Sequence, residues 1–494
     1  MKKLASLVLS VYVFTSCAQT QQMEWISTTE NTPWHTNAAL STSKSSAQSD
    51  IIIDTAKSYQ SIDGFGTCFN ELGWTSLSKL DAQKREDIMK EMFSPGVGAN
   101  FTICRMPIAA NDFAVDWYSY DETEGDLELK DFSIDHDRNT LIPFIKNAQQ
   151  YIPSLRVWAS PWSPPSWMKD NKHYAAVSTS AMLKELQKRE KGNASMSTYM
   201  FKTVDNGLSE NRQGKEGTDM FIVEEPYLKA YAQYFSKFID AYKNEGIDIF
   251  AVAPQNEFNS TQIFPSCTWT AASLAKFIGQ YLGPEMSKKG VEIMMGTMER
   301  PNELLCDTVL TDEACKKYIT SVGFQWAGKQ AIPGIAKKYP NLKMYQTEQE
   351  CGDGKNDWKG AEYSWNLMKH YLNNGASVYT YWNTSLMQGG ISRWGWAQNS
   401  LVVVDENGKD CKYTHEYYVM KHLSHYVKPG AKRIDSAGGT YKDVMAFLNP
   451  DNSIIIVAAN QNAEDKTVTI EVGKNVYSPT LKAHSLNTFT IPAL

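Results

Sequence analysis

The sequence predicts an α/β protein: a (β/α)8 barrel carrying a β-sandwich formed by both chain ends. Three observations lead there. Through the middle of the chain, short apolar runs alternate with longer amphipathic stretches, as in strand–helix units around a parallel sheet. Eight such units fit into about 360 residues, an ordinary span for a closed barrel with insertions. Beyond about Gly430 the pattern changes to alternating strands broken by tight turns, and 494 residues exceed what one simple core usually holds.

In chain order, "MKKLASLVLSVYVFTSC" places Lys2 and Lys3 before an apolar run, Leu4 to Phe14, that is too short to span a bilayer. This is the pattern of an export signal. Its end, Phe14-Thr15-Ser16-Cys17, resembles a bacterial lipobox, so residues 1–17 are expected to be a lipoprotein signal peptide with Cys17 as the lipidated residue. The expected location is therefore outside the cytoplasm, anchored by lipid to a bacterial membrane. The "AQTQQ" that follows has no acidic run and favours the periplasmic face over the cell surface. Residues 18–50 are polar and read as a linker. The β-branched run from Ile51 begins a strand, residues 51–60, assigned to the sandwich.

The barrel is expected over residues 61–428. Its strands are the "IDGFG" region, Phe101–Met106, Leu155–Ser160, Ile249–Pro254, Glu292–Thr297, Ser321–Phe324, Lys343–Thr347 and Val378–Trp382. Between the third and fourth, "EEPYLKAYAQYFSKFIDAYKNEG" repeats apolar residues at the helical period, with Pro226 near its start and Gly246 past its end. Residues 169–219 are polar without a clear period, and read as an elaborated loop over the barrel mouth. The remainder, 429–494, holds the other sandwich strands: Val468, Ile470 and Val472 alternate with polar residues.

Composition narrows the function. A net charge of -6 and pI near 5.9 argue against a nucleic-acid partner. Fourteen Trp and 25 Tyr suit a protein that stacks rings against sugar faces as well as one with an aromatic core. There is no CxxC or HExxH and the eight His are scattered, so neither a metal nor another cofactor is expected. Setting Cys17 aside leaves seven cysteines, an odd number that is not a disulfide framework, although Cys306 and Cys315 are near enough in sequence to pair.

The candidate chemistry lies at strand ends. Glu257 follows the fourth strand in "AVAPQNEF", and Glu348 follows the seventh in "YQTEQECG". Two carboxyl groups across a barrel mouth are the minimum equipment for cleaving a glycosidic bond, one protonated to donate to the leaving oxygen and one ionised. Asn256 could bond a sugar hydroxyl beside the reacting carbon. Strand alternation puts Glu350 on the same side as Glu348 and makes it the nearest competitor.

The segments "SIDGFGTCFNE", "ICRMPIAANDF", "VWASPWSPPSWMK", "VAPQNEF" and "YQTEQECG" together resemble glycoside hydrolase family 30, in the family's order and over nearly the whole chain from Ile51. The resemblance implies a (β/α)8 barrel with a β-sandwich and a retaining double displacement. Glu257 would be the acid/base and Glu348 the nucleophile, with carboxyl groups roughly 5 to 5.5 Å apart. It further implies that Asn256 binds the hydroxyl beside the anomeric carbon and that Arg105 bonds Glu348. Glu71, where relatives often have Asp, would bind distal hydroxyls, with Trp162 and Trp382 as aromatic sugar contacts. In "SVGFQWAGKQ" this chain departs from the family: Gln325 stands where glucosylceramidases have His and Ala327 where they have Tyr, leaving Trp326 as a substrate contact.

The stretch "YWNTSLMQGGISRWGWAQNSLVVVD" is similar to the β-1,6-glucanase branch, with Trp394 and Trp396 as a stacking wall. The expected partner is thus a β-glucan or other β-glucoside, with membrane contact only through the lipid anchor. Three functions stay open: a β-1,6-glucanase; an exo-acting β-glucosidase, glucosylceramidase or β-xylosidase; and a carbohydrate-binding protein without catalysis. A glucuronoxylanase would want a basic cluster to grip a uronic acid, and Arg393 alone does not supply one.

Overall fold

Eight short strands rich in β-branched, aromatic and small residues close on one another in sequence order, all parallel, in a computed structural model that describes residues 22–42, 49–190 and 204–493. They are β1 (Gly64–Cys68), β2 (Ile103–Ile108), β3 (Arg156–Pro161), β4 (Ile249–Val252), β5 (Glu292–Met298), β6 (Ile319–Gln325), β7 (Lys343–Glu348) and β8 (Ala376–Asn383). Every predicted barrel strand is present. Side chains fill the interior: Ile103, Trp158, Ala251, Ala253, Met294, Tyr345 and Val378 form one buried cluster. One large indole beside two alanines is how a closed barrel packs without a pore. At Gly66 a β-carbon would sit 1.7 Å from the carbonyl oxygen of Ile103, so only glycine lets β1 approach β2 there.

The predicted helix spans Glu225–Asn244 and buries Leu228, Tyr231, Tyr234, Phe235, Phe238, Ile239 and Tyr242, the periodic face. The chain leaves it at Gly246, whose φ of 78° suits glycine.

The chain ends meet in a nine-stranded sheet. The strand from Ile51 runs to Ser61 and links its two parts. Its first residues, Ile51 to Ile53, pair in parallel with Ile470–Val472, and its later part pairs antiparallel with Lys432–Asp435. Ile51, Ile53, Ile434, Ala446, Ile456, Ile470 and Phe489 form the core of this second domain.

Three expectations are corrected. Within the stretch read as a polar linker, Glu24–Thr29 and Thr32–Thr36 form a hairpin, and Glu24–Thr29 pairs along its whole length with Ser485–Ile491. Thr and Ser dominate these strands, so their sequence carries little apolar alternation; the pairing partner lies at the other end of the chain. Within the mouth loop, Thr179–Glu190 is a helix whose apolar residues are only Ala181, Met182, Leu183 and Leu186, too few to register as a period. Cys306 and Cys315 are both buried free thiols and do not pair; the other described cysteines are also free, four of them buried and Cys411 half-buried. Cys17 and the signal segment lie outside the described residues.

His422, on the last barrel helix (His415–Ser424), joins the two domains. Its ring is wholly buried, with Nδ1 2.8 Å from Thr488 Oγ1 and Nε2 2.8 Å from Thr28 Oγ1. The Thr488 hydroxyl donates to the His422 carbonyl, so it must accept from Nδ1–H; Nε2 then accepts from Thr28. The ring is therefore neutral, and burial pushes its pKa down to about 3, helped by the neighbouring Lys421 charge. A depressed histidine contributes stability that is complete above its unfolded pKa and is lost as pH falls. Between about pH 6.5 and 3 that loss is expected to be about 1.4 kcal/mol per pH unit. Denaturation midpoints at pH 7 and pH 4.5 check this: the loss on acidification should be smaller in His422→Gln, whose amide can keep both threonine contacts without titrating.

Candidate active site

The C-terminal ends of the barrel strands deliver the polar groups, because side chains below them are committed to the core. After β4 the chain passes Ala253-Pro254-Gln255 and is fixed in place: Asn256 N–H donates to the Pro161 carbonyl at 2.7 Å, and Gln255 Nε2 to the Trp162 carbonyl at 2.7 Å. Glu257 then takes a φ of 48°, a left-handed conformation costly for a residue with a β-carbon. Its N–H donates to Thr297 Oγ1 at 2.9 Å, which holds the turn and aims the carboxyl into the mouth.

Glu348 ends β7 and is 3% exposed, Glu257 4%. Arg105 Nη1 donates to Glu348 Oε2 at 3.0 Å, and Trp326 Nε1 donates to Glu348 Oε1 at 3.0 Å. Gln325 Nε2 lies 3.0 Å from Glu257 Oε1 and 3.1 Å from Glu348 Oε2, so these two oxygens are within about 6 Å of each other. Gln262 Nε2 donates to the other Glu257 oxygen at 3.2 Å. Burial pushes both carboxyl groups up; at Glu348 the Arg105 charge opposes it most, with Trp326 and Gln325 adding donors. Glu257 has carboxamide donors and no guanidinium in contact. Glu348 is raised to about 7 and Glu257 is raised as well; direct contact with a guanidinium is what sets Glu348 apart.

Arg105 is the hub. Its Nη2 donates to Ser160 Oγ at 3.0 Å and to Asn256 Oδ1 at 2.7 Å, and its guanidinium lies 4.4 Å from the Trp162 ring and 4.8 Å from Trp158. Asn256 Oδ1 also receives Thr297 Oγ1 and Gln325 Nε2, both at 3.1 Å. Every lone pair of that oxygen is used, so the Asn256 amide is fixed with its NH2 as the end left to donate.

These groups open into a cavity of about 350 Å³. Asp112, Trp162, Trp326, Glu257 and Glu348 line it, with Glu299, Arg300 and Trp396 further along. The helix over the mouth adds an apolar wall of Ala181, Met182 and Leu186, next to Val177 and Phe264.

Three expected site residues, and the competitor Glu350, lie elsewhere. Glu71 is wholly buried at the start of helix Glu71–Leu77, and its oxygens are taken by His136 Nε2 at 2.7 Å, Thr140 Oγ1 at 3.0 Å and Val115 N–H at 2.9 Å. Nothing is left for a ligand. Trp382 is wholly buried against Trp162, with ring centroids 5.1 Å apart, and supports that ring instead of meeting solvent. Trp394 is 1% exposed and packs on Trp117. Glu350, the competitor for Glu348, falls after the strand has ended and is held by Lys329 at 2.6 Å and the Tyr363 hydroxyl at 2.6 Å.

Conversely, sequence reasoning passed over Asp112 and Gln325. Asp112 sits seven positions after Arg105 in the loop after β2, and its Oδ1 is buried without a partner; burial, with Glu348 and Glu257 nearby, raises it well above the usual carboxylate range. Gln325 was noticed only as a departure, and no pattern in the sequence says that its amide reaches both carboxylates. Trp326 has a φ of 47°, and its indole meets Glu348 where Ala327 offers nothing.

Comparison with known proteins agrees with this architecture. The glycosyl hydrolase family 30 TIM-barrel domain matches residues 62–213 and 207–427, and the family's β-sandwich domain matches 430–489. The chain is 28% identical over 472 residues to putative glucosylceramidase 1 of Caenorhabditis elegans, covering 89% of this chain and 83% of that one. It is 27% identical over 466 residues to the endo-1,6-beta-D-glucanase neg1 of Aspergillus fumigatus, covering 89% and 87%. Among solved structures, SrfJ from Salmonella typhimurium superposes with a TM-score of 0.81 at 22% identity, over 96% of this chain and all of that one. With both family models matched, over most of the chain from residue 62 to residue 489, the chain belongs to glycosyl hydrolase family 30.

Proposed function

We propose that the chain hydrolyses β-glucosides with retention of configuration, and that its substrate is β-1,6-linked glucan. One observation carries the mechanism: Glu257 and Glu348 share a single amide nitrogen, at 3.0 and 3.1 Å, inside one cavity. An oxygen separation of at most about 6 Å suits direct attack on carbon, as in a retaining enzyme. The glucan assignment is supported by the likeness to the fungal endo-1,6-beta-D-glucanase.

In the first step an ionised Glu348 oxygen bonds to the anomeric carbon as the glycosidic C–O bond breaks. The leaving oxygen keeps that electron pair and takes the Glu257 proton. In the second, Glu257, now a carboxylate, removes a proton from water as its oxygen bonds to the anomeric carbon and displaces Glu348. The Asn256 NH2 is placed to hold the neighbouring hydroxyl, and the unpartnered Asp112 oxygen to accept from another. Trp162, held against Trp382 and Arg105, would contribute an edge of the cavity wall beside the sugar.

A second reading, an exo-acting enzyme releasing an apolar leaving group, is favoured by the wall of Val177, Ala181, Met182, Leu186 and Phe264. Alkyl β-glucosides of increasing chain length separate the two. The glucan reading expects kcat/KM to stay flat with chain length, with faster turnover on β-1,6-glucan. The second expects kcat/KM to rise, by up to about 0.8 kcal/mol for each buried CH2, and the rise to disappear in Met182→Asn.

For the mechanism itself, Glu348→Gln should reduce hydrolysis to background. Glu257→Ala should lose roughly 10²- to 10⁴-fold on glucosides with poor leaving groups, where protonation is needed. It should keep its glycosylation step on dinitrophenyl glucoside, and added azide should restore turnover as β-glucosyl azide. Because burial raises Glu257, the wild-type kcat/KM profile should fall on the alkaline side only above the ordinary glutamate range, and Glu257→Ala should lack that fall. Full activity of Glu348→Gln, or a Glu257→Ala profile identical to wild type, contradicts the assignments.

A further inference from the structure

Gln325 is wholly buried at the end of β6, and among the described residues it is the side chain that contacts both reacting carboxylates. Its orientation is set from behind. Gln325 Oε1 has Arg105 Nη1 at 3.2 Å and Thr347 Oγ1 at 3.0 Å as donors, so the NH2 end must face the carboxyl groups. A flipped amide would set a carbonyl against two carboxylates and a guanidinium against NH2.

The NH2 group has two hydrogens and three acceptors in reach: Asn256 Oδ1 at 3.1 Å, Glu257 Oε1 at 3.0 Å and Glu348 Oε2 at 3.1 Å. One acceptor is always under-served. In the proposed double displacement the negative charge also changes place, from Glu348 before glycosyl transfer to Glu257 after it. Esterified Glu348 is a weak acceptor; newly ionised Glu257 is a strong one. No other donor on Glu348 can follow that charge: Arg105 and Trp326 make no hydrogen bond to Glu257.

We propose that Gln325 is a positioning residue that transfers its hydrogen bond from Glu348 to Glu257 as the charge moves, favouring in each half-reaction the carboxylate that must be ionised. The inference rests on the two-carboxylate reading above. A carboxamide fits this role because it does not titrate: it stays a donor at every working pH. An imidazole in its place would itself gain or lose a proton near neutrality.

The test uses the full chain, dinitrophenyl β-glucoside and its 2-deoxy-2-fluoro analogue, with Gln325→Met and Gln325→His. Rapid-quench bursts separate glycosylation from deglycosylation. Gln325→Met, similar in volume but without a donor, should slow deglycosylation about tenfold on the acid side of the profile, since Glu257 without its donor stays protonated to higher pH and is ionised, as a base must be, in fewer molecules. Loss of a donor raises the pKa of each carboxyl, so both limbs of the kcat/KM profile should move to higher pH, by about one unit. Gln325→His should recover much of the deglycosylation rate while adding a third ionisation to the profile. A purely structural role would lower the melting temperature and slow both steps alike with the limbs in place, and that result overturns the proposal. So does a variant slowed only in glycosylation, since the bond would then serve Glu348 alone. Mass analysis of wild type treated with the fluoro sugar keeps the two claims apart. No label on Glu348 removes the two-carboxylate reading; a labelled Glu348 with unaltered deglycosylation in Gln325→Met removes the Gln325 inference and leaves that reading standing.

Discussion

A wholly buried guanidinium is the constraint around which the site is built. Arg105 is 0% exposed midway along β2, and an unanswered charge in such a place costs several kcal/mol. The barrel answers it from four other strand ends: Ser160 on β3, Asn256 after β4, Gln325 on β6 and Glu348 on β7. Indole faces of Trp158 and Trp162 close around it. The contacts to Asn256, Gln325 and Glu348 also fix groups that the proposed chemistry uses. Arg105 holds Glu348 toward its ionised form, and it occupies the oxygen of Asn256 so that the NH2 is presented outward. Stability of the arginine and geometry of the site are one requirement.

Strain is placed where that requirement leaves least freedom. Glu257 and Trp326 both adopt left-handed backbone conformations, and each ends with its side chain at the centre of the mouth. Such residues persist only where their surroundings over-determine them. At Glu257 the determinants are visible: Asn256 is pinned to Pro161, and Glu257 N–H is bound by Thr297. The same preorganisation spares the groups any reordering when charge develops.

What was legible in the sequence follows from how local its cause is. The barrel strands could be read because each is a run of residues buried by the barrel whatever its neighbours, and helix Glu225–Asn244 because seven buried side chains repeat on one face. The strand-end carboxylates could be placed for the same reason. The hairpin at Glu24–Thr36 could not, since its threonines become strand only by pairing with Ser485–Ile491. Glu71 was misplaced because a motif position does not show that His136, Thr140 and Val115 take up its oxygens. Gln325 shows the limit most plainly. Its two contacts lie 68 residues back and 23 residues ahead, and they exist only once β4, β6 and β7 are side by side in the closed barrel.

The most direct test of the proposed chemistry is the anomeric configuration of the first-formed product, followed by proton NMR while the chain hydrolyses a β-glucoside in deuterated buffer. Two displacements at one carbon, first by Glu348 and then by water, release the β-anomer, which mutarotates to the α-anomer only later. Appearance of the α-anomer first would mean a single displacement by water, and Glu348 could not then be the nucleophile.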